Sequence, residues 1–443
     1  MNRLSFYIRW FPGRRYVALM SFLITLIFLS GCAGNVVQQS VKSFVPSEIA
    51  FEWNESIYTV NDDATGMIKI SPSGAEDQSP IWSPDGSRIV FLTRNGSGFS
   101  PYLMNKDGSN RILLPSANSN FATSATSDPF WSPNSQKLLF NDLGGIYVED
   151  TSGNNLKTIN QTRSGPSLPQ WSPDSSKVLF FRSENNLNEL CVADSDGGNI
   201  KVIASNSKAS YEAYCWSPDG KKIAYEFLDT SFTSQDEIFK HDQIYVMNAD
   251  GTNKINVSPP DFGSINPVWS PDSSKLTFWT LGNGITNLDY VNNDGSGLVE
   301  MTHFTSDIWD GSTTSVTGFV VSSSLSSVQW FSDSKRILFT APNPTNSNHW
   351  DIYTFDSEGA NITNITNDGN SAAPVLTADN SKIVFCSLEV GNNRTDVFVM
   401  SVDGSQRVNL TKSLNSPSGH SAFDQFWSVS PHGTWIDTRY LIH

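Results

Sequence analysis

Positively charged residues are scarce in this chain: 29 lysines and arginines stand against 44 aspartates and glutamates, and the formal net charge is −15. A nucleic-acid-binding protein needs a basic face to meet the phosphate backbone. Electrostatic attachment to anionic lipid needs clusters of basic residues as well. The charge balance therefore argues against nucleic acid as a partner and against a membrane contact made by charge alone.

Cysteines are also few, four in 443 residues. Three of them lie in the body of the chain, where they cannot all pair with one another: Cys191, Cys215 and Cys386. None has the spacing of a metal-binding motif, and no aspartate-rich turn fits the calcium-loop pattern. We therefore predict no metal and no cofactor, and we expect the three thiols to be small buried hydrophobes. A Cys191–Cys215 disulfide in an oxidising compartment is the alternative.

Residues 1–31 contain four arginines and no acidic residue, and their apolar run, Tyr16–Leu29, is too short for a comfortable membrane span. It has the length of a signal-peptide core. The run ends in Leu29-Ser30-Gly31-Cys32, which resembles the lipobox of bacterial lipoproteins. In that family the signal is cut before the cysteine, which carries the lipid.

This resemblance implies a lipoprotein signal peptide at 1–31, lipidation at Cys32 and a tether at 32–45 ahead of the body at 46–443. An ordinary secretory signal is the alternative. Removing four arginines leaves 25 basic residues against 44 acidic ones, a formal charge of −19. Because a strongly acidic domain is not attracted to anionic lipid, we expect an exported domain that is anchored by its acyl chains alone. It would lie on the periplasmic or cell-surface side of a bacterial membrane.

Helical periodicity is missing throughout the mature chain, and a ten-residue motif of the type Trp-Ser-Pro-Asp-Gly-x-x-Ile-x-Phe recurs instead. Its spacing of roughly 40 to 60 residues is the period of propeller blades. The five clear copies and three weaker ones are Trp82–Phe91, Trp131–Phe140, Trp171–Phe180, Trp216–Tyr225, Trp269–Phe278, Trp330–Phe339, Leu376–Phe385 and Trp427–Ile436.

One repeat predicts four strands. The first ends at the tryptophan, and Ser-Pro-Asp-Gly turns the chain. An alternating run such as Ile223-Ala224-Tyr225 predicts the second strand, and Ile244–Met247 predicts the third. Asp250-Gly251 is a hairpin signal, and Asn253–Val257 predicts the fourth strand. We therefore predict an all-β fold of four-stranded antiparallel blades.

The two half-motifs, Trp-Ser-Pro-Asp-Gly and Ile-Tyr-Val-Met-Asn-x-Asp-Gly, resemble the hallmark of the TolB-like, or tricorn-type, WD40-like β-propellers. The resemblance covers about residues 46–440. It implies a propeller ring. It implies little about activity, because one fold carries many functions.

Each half-motif occurs eight times, the second one starting at Ile57–Asn61 and the first one ending at Trp427. Pairing of the N- and C-terminal strands therefore completes an eight-bladed ring and removes exposed edges. Ile49–Phe51 and Trp435-Ile436 both fit the second strand of the closing blade, and only one can occupy it. Seven blades is the alternative, if the terminal strands do not pair.

Strand direction reverses along each blade, so both repeated turns project on one face, the turn face. The connections between strands two and three, and between blades, share the opposite face, here called the variable face. Loops on a rigid scaffold commonly bind ligands, and two insertions, Glu226–Asp242 and His303–Ser327, lie on this face. Aromatic rings, imidazoles and a carboxylate predicted in the loops of the variable face, within and outside the two insertions, are the candidate binding residues: His241, His303, Trp309, Asp310, His349, Trp350 and His420.

No motif requires catalytic chemistry, and we assign no catalytic residue. The sequence predicts a lipid-anchored binding protein of the cell envelope that holds a protein or glycan partner on its variable face. The alternative is a metal-dependent carbohydrate-active enzyme with its site in the propeller mouth. Oligogalacturonate lyases resemble this repeat type and hold a metal there with histidines. The sequence leaves the oligomeric state open.

Overall fold

A computed structural model describes the chain in fourteen segments: residues 48–96, 98–114, 129–142, 145–161, 169–229, 242–282, 285–302, 304–305, 328–343, 346–358, 361–389, 394–414, 426–429 and 434–437. The predicted signal peptide and tether, with Cys32, lie outside these residues. The described segments contain strands and turns but no helix. Consequently no helix among them is long and apolar enough to cross a membrane.

The described residues form 34 strands. In chain order they are β1 Glu48–Glu52, β2 Ile57–Asn61, β3 Ile68–Lys69, β4 Asp77–Trp82, β5 Arg88–Asn95, β6 Gly98–Asn105, β7 Ile112–Leu113, β8 Phe130–Trp131, β9 Lys137–Asp142, β10 Gly145–Asp150, β11 Lys157–Asn160, β12 Gln170–Trp171, β13 Lys177–Glu184, β14 Leu187–Asp194, β15 Lys201–Asn206, β16 Ala209–Trp216, β17 Lys222–Asp229, β18 Asp242–Asn248, β19 Ile255–Asn256, β20 Gly263–Trp269, β21 Lys275–Gly282, β22 Ile285–Asn292, β23 Val299–Glu300, β24 Phe304–Thr305, β25 Gln329–Trp330, β26 Arg336–Asn343, β27 Asn346–Asp356, β28 Asn361–Asn364, β29 Ser371–Leu376, β30 Lys382–Glu389, β31 Arg394–Ser401, β32 Val408–Asn409, β33 Phe426–Val429 and β34 Thr434–Asp437.

These strands form eight antiparallel blades in a propeller ring, which confirms the predicted fold class. Blades 2 to 6 are β4–β7, β8–β11, β12–β15, β16–β19 and β20–β23, and blades 7 and 8 are β25–β28 and β29–β32. In each of these seven blades, strands that follow one another in sequence are neighbours in the sheet. The short strand β24 pairs with β22 outside this order.

Blade 1 closes the ring, because β33 from the C-terminal part pairs with β1 from the N-terminal part. Ala50 lies opposite Ser428, and the sheet order is β3-β2-β1-β33-β34. The second-strand position therefore belongs to Ile49–Phe51. Trp435 and Ile436 lie in β34, an extra strand beyond β33. The seven-bladed alternative is wrong, since the terminal strands do pair.

The hydrophobic core lies between neighbouring blades rather than inside each one. A typical cluster joins Val90 and Leu103 of blade 2 to Trp131, Leu138 and Phe140 of blade 3. The period-2 alternation of the second strand sends its aliphatic and aromatic side chains to the two sheet faces in turn. Each face then packs on the adjacent blade, so the ring is stabilised by apolar contacts all the way round.

The Asp-Gly hairpins have the geometry that their sequence predicts. At one of them, Gly108 adopts φ +82°, a left-handed conformation that glycine tolerates best. The carboxylate of Asp107 accepts hydrogen bonds from the main-chain N–H (2.9 Å) and the hydroxyl (2.6 Å) of Ser109. These contacts fix the turn between the third and fourth strands.

The three cysteines of the propeller are buried, as predicted, and none is in a disulfide, so the alternative Cys191–Cys215 disulfide does not form. Cys191 and Cys215 pack in different inter-blade clusters. Burial raises the pKa of the Cys191 thiol to about 12. A thiol with such a pKa is unreactive near neutral pH.

Candidate functional site

The two kinds of repeated turn lie on the same face of the ring. The main-chain N–H of Lys106, at the end of a third strand, donates to the carbonyl of Ser87 in the preceding Ser-Pro-Asp-Gly turn at 3.1 Å. The same contact recurs in blade 5 between Ala249 and Lys221, at 2.8 Å. The variable face is therefore the opposite face.

Repeated side-chain contacts join the turns of adjacent blades on the turn face. The position four residues after the motif tryptophan is a serine in several blades, for example Ser135 after Trp131. These serines have a left-handed backbone, with φ +60° at Ser135 and φ +62° at Ser273. The hydroxyl of each serine then accepts a hydrogen bond from a main-chain N–H of the preceding blade. The donors are Asp85 to Ser135, Asn134 to Ser175, Asp219 to Ser273 and Asp272 to Ser334, at 3.0–3.1 Å.

Most of the candidate residues predicted on the variable face lie outside the described residues, namely His241, His303, Trp309, Asp310 and His420. The structure places His349 in strand β27 but does not describe its side chain. Trp350, next in the same strand, is described in full. The assignment of these seven residues to a binding site on the variable face therefore remains a prediction.

Trp350 is partly exposed at the boundary between blades 7 and 8. Its main-chain N–H donates to the carbonyl of Gly369 at 3.1 Å, and it forms a parallel bridge with Asn370. The segment 365–370 connects the last strand of blade 7 to the first strand of blade 8. The backbone of Trp350 is thus held against a variable-face connection, while part of its ring remains accessible.

A buried carboxylate organises this connection. Asp351 is fully buried and accepts hydrogen bonds from the main-chain N–H groups of Asp368 (2.9 Å) and Gly369 (2.8 Å). It also accepts from the Thr366 hydroxyl (3.0 Å) and the Asn364 amide (3.0 Å). Several donors converging on one carboxylate fix a loop firmly. Sequence reasoning missed Asp351, although its place directly after Trp350, within the third strand of blade 7, was the available signal.

An ion pair fixes the outer part of the same connection. Asp368 accepts a hydrogen bond from the Ser371 hydroxyl at 2.9 Å and forms an ion pair with Arg407 of blade 8. The Arg407 guanidinium lies over the rings of Phe385 and Phe398, 4.9 and 4.4 Å from their centroids. These contacts fix the connection against which the backbone of Trp350 is held.

A partly exposed tryptophan whose backbone is held against the 365–370 connection can stack on a sugar ring or on an apolar peptide side chain. The described residues contain no group of three or more histidines, cysteines, aspartates or glutamates that could hold a metal ion. Within the part of the chain that the structure covers, the arrangement around Trp350 therefore supports binding, and no step of a reaction can be derived from it.

Comparison with known families agrees with the fold. The sequence model of the TolB β-propeller domain matches residues 143–324 and 182–436, more than half of the chain. A curated relative, dipeptidyl-peptidase 5 of Porphyromonas gingivalis, is 24% identical over 313 residues, which cover 67% of this chain and 42% of the peptidase. The chain thus spans less than half the length of that relative.

Two solved structures share the fold. Oligogalacturonate lyase of Vibrio parahaemolyticus superposes with a TM-score of 0.52 at 12% identity, covering 80% of this chain and 98% of the lyase. An oligogalacturonate lyase solved in complex with manganese superposes with a TM-score of 0.51 at 14% identity, covering 81% and 96%. At such identities the similarity shows the fold alone.

Proposed function

Because the chain belongs to the TolB β-propeller domain family, we propose that it is an exported binding protein of the bacterial cell envelope. It is anchored to a membrane through lipidated Cys32 and holds a protein or glycan partner on its variable face. The observation that carries this proposal is the unequal chemistry of the two faces. The turn face repeats one set of hydrogen bonds, whereas the variable face carries the partly exposed Trp350 and, by prediction from the sequence, the two long insertions.

Capture of a partner tests the binding part of the proposal. The wild-type chain and a triple variant, Trp309→Ala/His349→Ala/Trp350→Ala, are immobilised and exposed to solubilised envelope proteins and to a glycan array. We expect the triple variant to lose capture while its melting temperature changes little. Gly251→Ala, on the turn face, should melt earlier and still capture the partner. Undiminished capture by the triple variant would place the site elsewhere.

Lipid labelling tests the anchoring part. We expect Cys32→Ala to remain unlipidated and uncleaved at that position, because the cysteine is the acceptor of the lipid. Cells expressing the wild type or the variant are fed a palmitate analogue, and the label on the protein is measured. Labelling of Cys32→Ala as strong as that of the wild type would refute the anchor.

A metal-dependent carbohydrate lyase is the second candidate function. It is favoured by four of the six histidines in the chain, His241, His303, His349 and His420, which the sequence predicts on the variable face and of which the structure places His349 in strand β27. A lyase should retain a divalent metal through purification and release unsaturated sugars from oligogalacturonate. Elemental analysis together with ultraviolet absorbance of the products distinguishes it from a binding protein.

A further inference from the structure

A cleft of about 1030 Å³ opens on the turn face between blades 4 and 5. Its walls include the turn 172–177 of blade 4 and the turn 218–220 of blade 5. Trp216 lines it and is partly exposed, unlike the equivalent Trp82, Trp131 and Trp269, which are buried. This face is opposite to the one in the proposed function, so the cleft is a separate feature of the molecule.

The serine contact that joins neighbouring turns is missing at this boundary. Gly220 (φ +71°) occupies the left-handed position that Ser273 occupies one blade later. Glycine has no side-chain oxygen, so the main-chain N–H of Asp174 meets no acceptor there. The equivalent N–H groups of Asn134 and Asp219 both donate across their boundaries. The cleft wall therefore carries a main-chain donor that its own fold does not use.

The indole of Trp216 supplies a second such donor. In four other blades the Nε1 of the repeat tryptophan donates to a strand carbonyl of the preceding blade, at 3.2–3.3 Å: Trp131 to Ile81, Trp171 to Phe130, Trp269 to Cys215 and Trp330 to Val268. Trp216 Nε1 is buried and has no hydrogen-bond partner among the described residues. Trp82 Nε1 also has none, but that ring is fully buried. A buried donor without a partner carries a desolvation penalty that a ligand acceptor would remove.

The third regular contact of the turn face is absent as well. Lys137 and Lys222, which begin second strands, each reach a side chain of the next blade, Ser195 at 3.1 Å and Asn293 at 3.2 Å. The corresponding position opposite Lys177 is Ala249, which has no polar atom in its side chain. Lys177 pairs instead with Asp194 of its own blade.

The rest of the boundary between blades 4 and 5 remains joined. Towards the variable face, the main-chain N–H of Phe181 donates to the Tyr214 hydroxyl at 3.1 Å. At the outer rim, Lys201 Nζ donates to the carbonyl of Asp250 at 2.8 Å. The missing contacts are therefore confined to the turn-face end of this boundary, and the two blades are joined on either side of the cleft.

We propose that this cleft binds an extended peptide segment that carries an apolar residue next to a lysine or arginine. Backbone carbonyls of the peptide accept hydrogen bonds from Trp216 Nε1 and from the Asp174 N–H, in place of the strand carbonyl and serine hydroxyl used at other boundaries. The apolar residue packs on Trp216, Val192 and Ile203, which all line the cleft. Peptide carbonyls fit better than other acceptors because the partner of the repeat tryptophan elsewhere is itself a strand carbonyl.

The charge around the cleft selects the basic residue. Three carboxylates line it, Asp174, Asp219 and Asp250, together with two cations, Lys177 and Lys201. Lys177 is paired with Asp194 and Asp219 with Lys221, which leaves Asp174 and Asp250 against Lys201. The lining is therefore net acidic in a chain of formal charge −15, and complementary charge on a partner favours and orients its binding.

Refilling the cleft gives the test. Gly220→Ser with Ala249→Ser restores the polar atoms that other boundaries have, and a Cβ at Gly220 would meet only Pro173 Cδ, at 3.9 Å. Gly86→Ser makes the same change in the same kind of turn of blade 2 (φ +66°) and is the matched control. Trp216→Phe removes the Nε1 donor and keeps an aromatic ring.

The probe is a phage-displayed library of random dodecapeptides. Peptides that bind the full wild-type chain are selected, and those that also bind the refilled variant, Gly220→Ser/Ala249→Ser, are discarded.

We expect enriched peptides to place an apolar residue beside lysine or arginine. Their synthetic forms should bind the wild type and Gly86→Ser equally, the refilled variant about tenfold or more weakly, and Trp216→Phe several-fold more weakly. The proposal would be overturned if no sequence were enriched on the wild type over the refilled variant, or if the enriched sequences were acidic. It would also be overturned if the peptides bound the wild type and Trp216→Phe with equal affinity. So would a glycan array in which a glycan, and no peptide, loses binding on refilling.

Discussion

The main-chain N–H of Asp219 donates a hydrogen bond of 3.0 Å to the hydroxyl of Ser273 in the next blade. Ser273 can reach it because its backbone is left-handed (φ +62°), a conformation that costs about 1–2 kcal/mol for a residue with a Cβ. The serine four residues after the motif tryptophan is thus strained, and its hydroxyl connects neighbouring blades.

Ser273→Ala tests this connection. It removes the acceptor and keeps the Cβ and the strained backbone, so we expect the free energy of unfolding to fall by ~1 kcal/mol. Urea denaturation of wild type and variant measures the difference. Gly220→Ser is the reverse change, and there the added hydrogen bond and the added strain should offset each other. A loss at Gly220→Ser much larger than at Ser273→Ala would contradict this account of the boundary.

Gly251→Ala tests the Asp-Gly hairpins. Gly251 has φ +88°, and a Cβ there would lie 2.8 Å from the carbonyl oxygen of Ile203 in the preceding blade. We expect the free energy of unfolding to fall by more than ~2 kcal/mol, because this clash adds to the strain of an alanine in a left-handed conformation. Gly74→Ala is the control, because Gly74 has φ +79° and nothing within 4 Å of the added atom. Equal losses for the two variants would show that the inter-blade packing of Gly251 is unimportant.

The repeat tryptophans are not equivalent in the structure. Trp171→Ala empties a position between blades 3 and 4 and should cost ~3–5 kcal/mol. Trp216→Ala should cost clearly less, because that ring is partly exposed and its Nε1 makes no hydrogen bond. Trp309→Ala, in a predicted loop, should cost least. Thermal unfolding of the three variants checks the order, and equal shifts for Trp171→Ala and Trp309→Ala would contradict the assignment of faces.

Acid should destabilise the ring through its turn aspartates. Hydrogen bonds from the hydroxyls of Thr252 and Ser405 hold the pKa of Asp250 and of Asp403 below the ordinary 3.8. A carboxylate with a lowered folded-state pKa stabilises the protein above its unfolded-state pKa, and that contribution is lost as the pH falls through the folded-state value. The melting temperature should therefore fall once the pH drops below about 4. A melting temperature unchanged from pH 5 to pH 3 would contradict this, and Asp250→Asn/Asp403→Asn should make the fall shallower.

The fold follows from the sequence because its strands and turns recur with the same residues. Gly108 and Gly251 mark left-handed turns whatever their surroundings, so the hairpins could be placed without a structure. The exposure of Trp216 could not be foreseen, because its own motif is regular. It depends on Gly220 and Ala249, which lack side-chain oxygens at positions that matter only once blades are adjacent. The candidate site on the variable face could not be predicted residue by residue, since its loops repeat no pattern, and the hydrogen bonds by which Asp351 holds the connection beside Trp350 have no counterpart in a motif.

Hydrogen–deuterium exchange of the full chain, with and without the partner recovered by capture, tests the central claim most directly. If the partner binds the variable face, exchange should slow in residues 230–241 and 306–327 and at the start of β27, around His349 and Trp350, while the turns of the opposite face are unchanged. Protection confined to the turn face, for example at 172–177 and 218–220, would contradict the variable-face site.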